Sequence, residues 1–190
     1  MTILSDEQIM DLCIGNSTDS MIDPYFSNLI KREGDRSIIS FGQSSYGYDV
    51  RIAPEFRIFS NINSVVVDPK KLDEKSLVTH RGDICIVPPN SYVLGRTIEY
   101  LKIPRNVTAL CLSKSTYARA GLVVSATVLE AGWEGELVLE IANTTNLPVK
   151  IYANEGIAQL LFFRGSDCMT SYADRNGKYQ GQKGITLPKV

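Results

Sequence analysis

The sequence predicts a mainly β fold, a distorted jelly roll or β-barrel with a few short helices. From residue 38 onward the chain is a succession of short β-favouring runs, such as "IISFG", "YGYDVRI", "VTALCL", "ELVLEIAN" and "IAQLLFF". Glycine, proline, asparagine and aspartate separate these runs at intervals of roughly 8 to 12 residues, which is typical of antiparallel sandwiches and barrels. No repeat or low-complexity linker interrupts the 190 residues. We therefore expect one domain over residues 1–190.

A short helix is predicted near the N-terminus. In "LSDEQIMDLC", Ser5 and Gln8 have the spacing of a capping box, in which each side chain accepts a hydrogen bond from the backbone of the other residue. Ile9, Leu12 and Cys13 then fall on one face of the helix.

The charge balance leaves no overall attraction to nucleic acid or to an anionic membrane. The chain has 20 basic and 21 acidic residues, a net charge of -1. Its apolar runs are far shorter than the ~18 residues of a membrane-spanning helix. The start, "MTILSDEQ", is acidic where a secretory signal would be basic. We expect a cytoplasmic protein with neither a nucleic acid nor a membrane as its partner.

Residues that ligate metals are few and scattered. Cys13, Cys85, Cys111 and Cys168 show no CxxC spacing, and in a reducing compartment they are expected to be small apolar residues or free thiols. His80 is the only histidine. Because a zinc site needs three or four ligands, the sequence predicts no zinc site.

The segment "LSKSTYARAGL", residues 112–122, is more polar than a connection between strands requires. If it forms one or two helical turns, Ser115 and Arg119 share a face and Gly121 is placed as a C-cap. Lys114 and the first backbone N–H groups would then suit a phosphate. Spacing alone leaves two interpretations open: an ordinary polar turn, or a face that offers a hydroxyl and a guanidinium to a ligand.

The run "GELVLEIAN" alternates apolar residues on one face with Glu136, Val138, Glu140 and Ala142 on the other. Glu140 is either an ordinary solvated glutamate or a carboxylate in a partly dry pocket, where its pKa would rise toward that of a working base. Periodicity cannot choose between these interpretations. The last stretch, residues 172–190, is rich in glycine, lysine and glutamine and is predicted to be a mobile tail.

Six segments, in order from about residue 40 to the C-terminus, together resemble the dCTP deaminase family of the dUTPase-related superfamily: "SSYGYDVR", "VPPNSYVLGRTIEY", "KSTYARAGL", "GWEGELVLEIANTT", "KIYANEGIAQLLFF" and "SYADRNGKYQGQKGITLP". The resemblance implies a jelly roll of the dUTPase-like type, assembled as a homotrimer with active sites between subunits. It also implies hydrolysis of dCTP to dUTP and ammonia, with Mg²⁺ carried on the triphosphate. Feedback by dTTP is a further expectation for an enzyme at this branch point.

The resemblance also implies roles for individual residues. Glu140 corresponds to the catalytic glutamate, which activates water without zinc, while Ser115 and Arg119 hold that water and stabilise developing charge. The tail would close over the bound triphosphate. The implied nucleotide-binding residues are Lys114, Ser115, Thr116, Tyr117, Ala118, Arg119, Val138, Leu139, Glu140, Gln159, Tyr172, Lys178 and Gln182.

The chain departs from the family pattern at three positions. Ser113 stands where a glycine is expected before "KSTYAR", and Val128 and Ala131 replace prolines ahead of "GWEG". Ser113 could alter the backbone beside Ser115, since serine adopts positive φ poorly. Two alternatives also remain: a bifunctional enzyme that continues to dUMP and pyrophosphate, with Glu130 as a second base, and a catalytically silent nucleotide-binding regulator.

Overall fold

The computed structural model describes residues 2–15, 19–62 and 66–190, and these ranges are built mostly of antiparallel strands. Strands form two six-stranded sheets and one two-stranded sheet within the described ranges. The mainly β prediction is confirmed. No helix of the described residues is long and apolar enough to cross a membrane.

The helices are few and short: α1 (Asp6–Ile14), α2 (Ser115–Ala118) and a 3₁₀ turn (Glu74–Ser76). The strands are β1 (Thr2–Ile3), β2 (Ile22–Asp23), β3 (Ile30–Glu33), β4 (Arg36–Ser44), β5 (Gly47–Arg51), β6 (Glu55–Phe59), β7 (Leu77–Arg81), β8 (Ile84–Val87), β9 (Tyr92–Lys102), β10 (Val107–Ser113), β11 (Leu122–Ser125), β12 (Glu134–Asn143), β13 (Val149–Tyr152) and β14 (Gly156–Arg164).

The two larger sheets share one hydrophobic core. The first has the order β1-β14-β5-β4-β3, with β10 also paired to β14, and the second has the order β11-β12-β9-β6-β7, with β2 also paired to β9. The inward side chains of both sheets belong to one buried cluster, which includes Tyr48, Val50, Leu139, Ile141, Leu160 and Phe162. Burial of these apolar side chains is the main force that holds the sheets together.

The N-terminal helix begins as predicted. The Ser5 hydroxyl accepts a hydrogen bond from the backbone N–H of Gln8, and the Gln8 side chain accepts one from the backbone N–H of Ser5. Ile9 and Cys13 are buried against the core. The capping box therefore fixes the start of α1, while its apolar face fixes the orientation of the helix.

A β-bulge sets the register between β9 and β12. The pairing of these strands shifts between Glu136 and Val138. The buried hydroxyl of Thr97 accepts a hydrogen bond from the backbone N–H of Leu137 at 2.9 Å and donates one to the carbonyl of Glu99 at 2.8 Å. Thr97 therefore satisfies a backbone group that the bulge removes from the ladder.

Beside the bulge lies a buried ion pair. The Glu99 carboxylate accepts hydrogen bonds from Nε of Arg51 at 2.8 Å and from the backbone N–H of Arg51 at 2.9 Å. The Arg51 guanidinium also lies over the rings of Phe26 and Phe41, 4.9 and 4.7 Å from their centroids. A fully buried carboxylate needs such partners, because an unpaired one is strongly destabilising.

We expect the Thr97→Val variant to lower the free energy of unfolding by about 1–3 kcal/mol, because valine leaves the Leu137 N–H buried without an acceptor. Thr97→Ser keeps the hydroxyl and is the matched control. Denaturant unfolding at one fixed protein concentration measures the difference between the variants. Equal stability of the valine and serine variants would show that the hydroxyl does not support the bulge.

Candidate active site

A cleft opens where β11 separates from β12. The two strands pair until Ser125 lies opposite Glu140. Beyond Ser125 the chain leaves this ladder and pairs next at Leu129, which exchanges two backbone hydrogen bonds of 3.0 Å with Ala109. The cleft beside this divergence has a volume of about 920 Å³ and is lined by residues from both diverging segments.

Glu140 lies on the wall of this cleft and is partly buried. The alternation predicted for its strand is confirmed, since Leu137, Leu139 and Ile141 point into the core. Burial raises the pKa of the Glu140 carboxyl above its ordinary value. The charge of Glu140 in turn adds to the burial that raises the pKa of Tyr92 to about 12. The structure therefore favours the interpretation of Glu140 as a carboxylate in a partly dry pocket.

The rest of the cleft wall is mostly apolar and aromatic. Its aromatic side chains are Phe59, Tyr92, Trp133, Tyr172 and Tyr179, and its polar side chains include Thr127, Glu130, Glu140, Lys178, Gln182 and Thr186. An apolar cleft with a few polar groups is typical of sites for small organic ligands, because the apolar wall gives affinity and the polar groups fix orientation.

The C-terminal residues 172–190 fold back over this cleft. The carbonyl of Tyr179 accepts a hydrogen bond from the Trp133 indole at 3.0 Å, and the hydroxyl of Tyr172 accepts one from the backbone N–H of Tyr179 at 3.1 Å. Lys178 and Gln182 line the cleft together with Glu140. The structure thus brings three predicted tail residues to the predicted base, whereas mobility of the tail stays a prediction.

Ser115 and Arg119 lie elsewhere on the same chain. Both are exposed on the short helix α2, and neither lines the cleft. Helix α2 precedes the end of β11 that is farther from Glu140, roughly 10 Å away along the strand. One chain alone therefore does not bring the predicted hydroxyl and guanidinium to the predicted base.

The other predicted residues of this segment divide into two groups. Thr116 and Ala118 are exposed, whereas Tyr117 is buried and its hydroxyl accepts a hydrogen bond from the backbone N–H of Tyr152 at 3.0 Å.

Two further predicted residues lie on β12. Leu139 is fully buried, like Tyr117, and Val138 lines the cleft. At the buried positions only the backbone is available to a ligand.

Lys114 forms a largely buried ion pair with Asp49, a residue that the sequence analysis did not assign to the site. Burial raises the pKa of Asp49, and Lys114 and Gln159 beside it oppose that rise. Gln159 also donates a hydrogen bond to the Ser44 hydroxyl at 3.4 Å. Lys114 and Gln159 thus form a polar cluster on the sheet that carries β5 and β14, apart from the cleft.

The prediction that Gly121 caps the helix is wrong. Helix α2 ends at Ala118 and Arg119 is its C-cap residue. Gly121 instead has φ +79° in the turn before β11, where a Cβ atom would approach the Thr145 side chain to 2.2 Å. The glycine is required for this close approach rather than for the cap.

The three departures from the family pattern are accommodated locally. Ser113 ends strand β10 without a positive φ, and its hydroxyl bridges the backbone N–H and carbonyl of Val124 at 2.8 and 2.9 Å. Val128 and Ala131 flank the segment that Leu129 ties to β10. The backbone at Ser113 is therefore one that serine adopts without strain, and a change relative to the family's glycine stays a prediction.

The sequence analysis gave no role to Asp49, Tyr92, Trp133 or Tyr179. Asp49 and Lys114 are 65 residues apart in the sequence, so only the paired sheets bring them together. The alternation of the run "YGYDVR" was the one available clue, since it places Asp49 on the face opposite the core residues Tyr48 and Val50.

The described residues contain no cluster of three or more His, Cys, Asp or Glu side chains that could hold a metal ion. The ring nitrogen Nε2 of His80 lies 2.8 Å from the carbonyl oxygen of Ile84. All four cysteines are free thiols.

Comparison with known proteins gives a consistent result. The model of a family described as dCTP deaminase-like matches residues 3–165. The dCTP deaminase of Paraburkholderia xenovorans is 56% identical over 192 residues, and that of Dichelobacter nodosus is 57% identical over 191 residues; both alignments cover 100% of each chain.

A solved structure supports the fold. The 2'-deoxycytidine 5'-triphosphate deaminase from Agrobacterium tumefaciens superposes with a TM-score of 0.61 at 16% identity, covering 86% of this chain and 48% of that one. At this level of identity the likeness concerns the fold alone. With the match of the family model and the full-length relatives, the chain belongs to the dCTP deaminase-like family.

Proposed function

We propose that the protein hydrolyses dCTP to dUTP and ammonia, with Glu140 as the base that activates water. The observation that carries the proposal is the half-buried carboxyl of Glu140, with a raised pKa, in the wall of an apolar cleft. The names of its full-length relatives supply the substrate and the reaction. A carboxylate with this environment suits proton transfer near neutral pH.

The chemistry follows from the position of one carboxylate. Glu140 takes a proton from water, and the resulting hydroxide adds to C4 of the cytosine ring. The proton then passes from Glu140 to ring nitrogen N3. A second proton passes from the added hydroxyl group to the amino group, and the oxygen becomes the C4 carbonyl of uracil. The C4–N bond breaks and ammonia leaves. General base catalysis contributes about 10²–10⁴ in rate, so positioning of water and base must contribute much of the rest.

The cleft offers a place for each part of the nucleotide. The strand at Val138 and Leu139 presents backbone groups to the base edge, and aromatic walls such as Trp133 suit the sugar and the ring. Lys178 is the cleft-lining lysine, and we assign it to the triphosphate with Tyr172 and Gln182.

The proposed reaction needs no zinc from the protein. Zinc deaminases hold the metal with histidine and cysteine ligands, whereas His80 is the only histidine of this chain. The carboxylate of Glu140 therefore has the role that a metal has in those enzymes. Mg²⁺ enters as part of the substrate, bound to the triphosphate.

We further propose a homotrimer in which a neighbouring subunit supplies Ser115 and Arg119 to the cleft of Glu140. In support, strands β10 and β11, on either side of α2, expose Leu110, Leu112 and Val123 with 39%, 46% and 49% of their surface accessible. Exposed apolar side chains on two neighbouring segments support an interface at this surface. In the proposed trimer, α2 would lie beside that interface.

Three further expectations accompany the proposal. We place the reaction in the cytoplasm, where the free thiols of the four cysteines persist, and we keep dTTP as a feedback ligand. The bifunctional alternative ranks second, because the Glu130 carboxylate that would serve as its base is paired with Arg175. A silent regulator would have no need of a partly buried carboxylate.

The first test is the Glu140→Gln variant with dCTP and Mg²⁺, in which we expect ammonia release to fall by at least about 10² while nucleotide binding changes little. Glutamine keeps the shape of the side chain but cannot accept the proton from water. Chromatography of all nucleotides, with a parallel ammonia assay, distinguishes a deaminase from a bifunctional enzyme. Unchanged turnover would remove Glu140 from the mechanism, and dUMP with pyrophosphate from the wild type would establish the bifunctional enzyme.

The pH dependence provides a second test. Glu140 must be ionised to accept a proton, and burial raises its pKa. Activity should therefore be lost as the pH falls through a value above the ~4.3 of a free glutamate. The measurement is kcat/KM for dCTP against pH. An acidic limb at or below the value of free glutamate would contradict a desolvated base.

Subunit complementation tests the shared site. The Ser115→Ala and Glu140→Gln variants, each inactive alone, should regain activity when they are unfolded and refolded together. If every site takes Glu140 from one subunit and Ser115 from its neighbour in a cyclic trimer, random mixing gives about one quarter of the wild-type sites. A mixture of Arg119→Ala with Glu140→Gln should recover activity to the same extent. No recovery, with mixed oligomers demonstrated by a tag, would place both residues within one subunit's site or outside the mechanism.

A further inference from the structure

Glu136 holds the C-terminal tail at the edge of the cleft through three hydrogen bonds. Its backbone N–H donates to the carbonyl of Gln182 at 2.9 Å, and its carbonyl accepts from the Gln182 side chain at 2.9 Å. Its carboxylate oxygen Oε2 accepts from the backbone N–H of Gly184 at 2.6 Å. The carboxylate contact is charge-assisted, which is the stronger type of hydrogen bond.

The approach of the tail to β12 depends on a glycine. Gly135 pairs with Gln182 as an isolated parallel bridge, and the backbone N–H of Gly181 donates to the carbonyl of Glu134 at 2.9 Å. Gly135 has φ +150°, and a Cβ atom there would lie 3.0 Å from the Gln182 carbonyl oxygen. The tail therefore docks on the backbone of β12, and Glu136 adds a charged side chain to this contact.

Arg96 fixes the carboxylate from the other side. Its Nη1 lies 3.1 Å from Oε2 of Glu136, and its Nε lies 3.6 Å from the Glu55 carboxylate. Arg96 and Glu55 belong to β9 and β6, two strands in the body of the second sheet. The same oxygen of Glu136 thus joins a guanidinium fixed by the sheet to a backbone N–H of the tail.

This contact lies next to the proposed site. Glu136 is on the same face of β12 as Val138 and Glu140, which both line the cleft. Lys178, Gln182, Thr186 and Pro188 of the tail line the same cleft. Release of the tail from Glu136 would move these residues away from Glu140, since the contact joins the tail to the strand of the base.

We propose that Glu136 is a positioning residue: held by Arg96, its carboxylate latches the tail across the cleft. The consequence for catalysis rests on the proposed function, because the tail residues are those assigned to the triphosphate. The latch itself is a property of the chain without any nucleotide. The docking of the tail and its effect on catalysis can therefore be measured separately.

Hydrogen exchange of the nucleotide-free protein tests the latch directly. In Glu136→Ala we expect the Gly184 amide to exchange about 10-fold faster, because it loses a charged acceptor. Glu134→Ala is the matched control, since Glu134 lies on the same strand, its side chain bonds to Tyr100 rather than to Gly184, and the substitution keeps the backbone carbonyl that binds Gly181. Core amides of β9 and β12 should exchange as in the wild type. An unchanged Gly184 rate, or equal acceleration of those core amides, would overturn the latch.

Steady-state kinetics then tests its consequence. Glu136→Ala should raise the KM for dCTP about 10-fold with a smaller change in kcat, whereas Glu134→Ala leaves both unchanged. Glu136→Gln retains an acceptor for Gly184 and should recover part of the loss. A KM equal to that of the wild type in Glu136→Ala would contradict the positioning role. Absence of dCTP turnover in the wild type would instead overturn the proposed function and leave the exchange result standing.

Discussion

The proposed function depends on one carboxylate being kept partly out of water. Glu140 lies on a strand whose other face is fully buried, at the point where the neighbouring strand β11 leaves the ladder. If β11 continued along β12, the edge of the strand would be covered and no cleft would exist. If the cleft were open to bulk water, the pKa of Glu140 would remain near its ordinary value. The divergence of two strands therefore creates both the cleft and the partly buried environment of the proposed base.

Two polar systems support this arrangement from opposite sides. Thr97 and the Arg51–Glu99 pair stabilise the bulge that sets the register of β12. The Arg96–Glu136 pair lies on the outer side of the same strand and meets the tail. The charged groups of these two systems each have a partner of opposite sign, as the low-dielectric surroundings require. The strand that carries the proposed base is thus held by polar contacts with both the sheet and the tail.

Sequence patterns predicted the features that depend on local chemistry. The capping box of α1, the alternation of β12 and the mainly β architecture all follow from neighbouring residues, and the structure confirms them. Gly121 was assigned to the wrong role because a left-handed glycine after a helix is as compatible with a later turn as with a cap. The sequence did not predict the Asp49–Lys114, Arg51–Glu99 and Arg96–Glu136 pairs, since each joins residues from distant parts of the chain. The separation of α2 from the cleft likewise depends on strand lengths and pairing that periodicity does not specify.

The most direct test of the account is a crystal structure of the Glu140→Gln variant with dCTP and Mg²⁺. The account predicts the cytosine ring in the cleft, with the substituted amide side chain separated from C4 by one water molecule and with Ser115 and Arg119 of a neighbouring subunit beside that water. The triphosphate should lie under the tail, near Lys178. A cytosine ring bound away from the substituted side chain, or a water at C4 held by other residues, would contradict the central claim that the Glu140 carboxylate activates the attacking water.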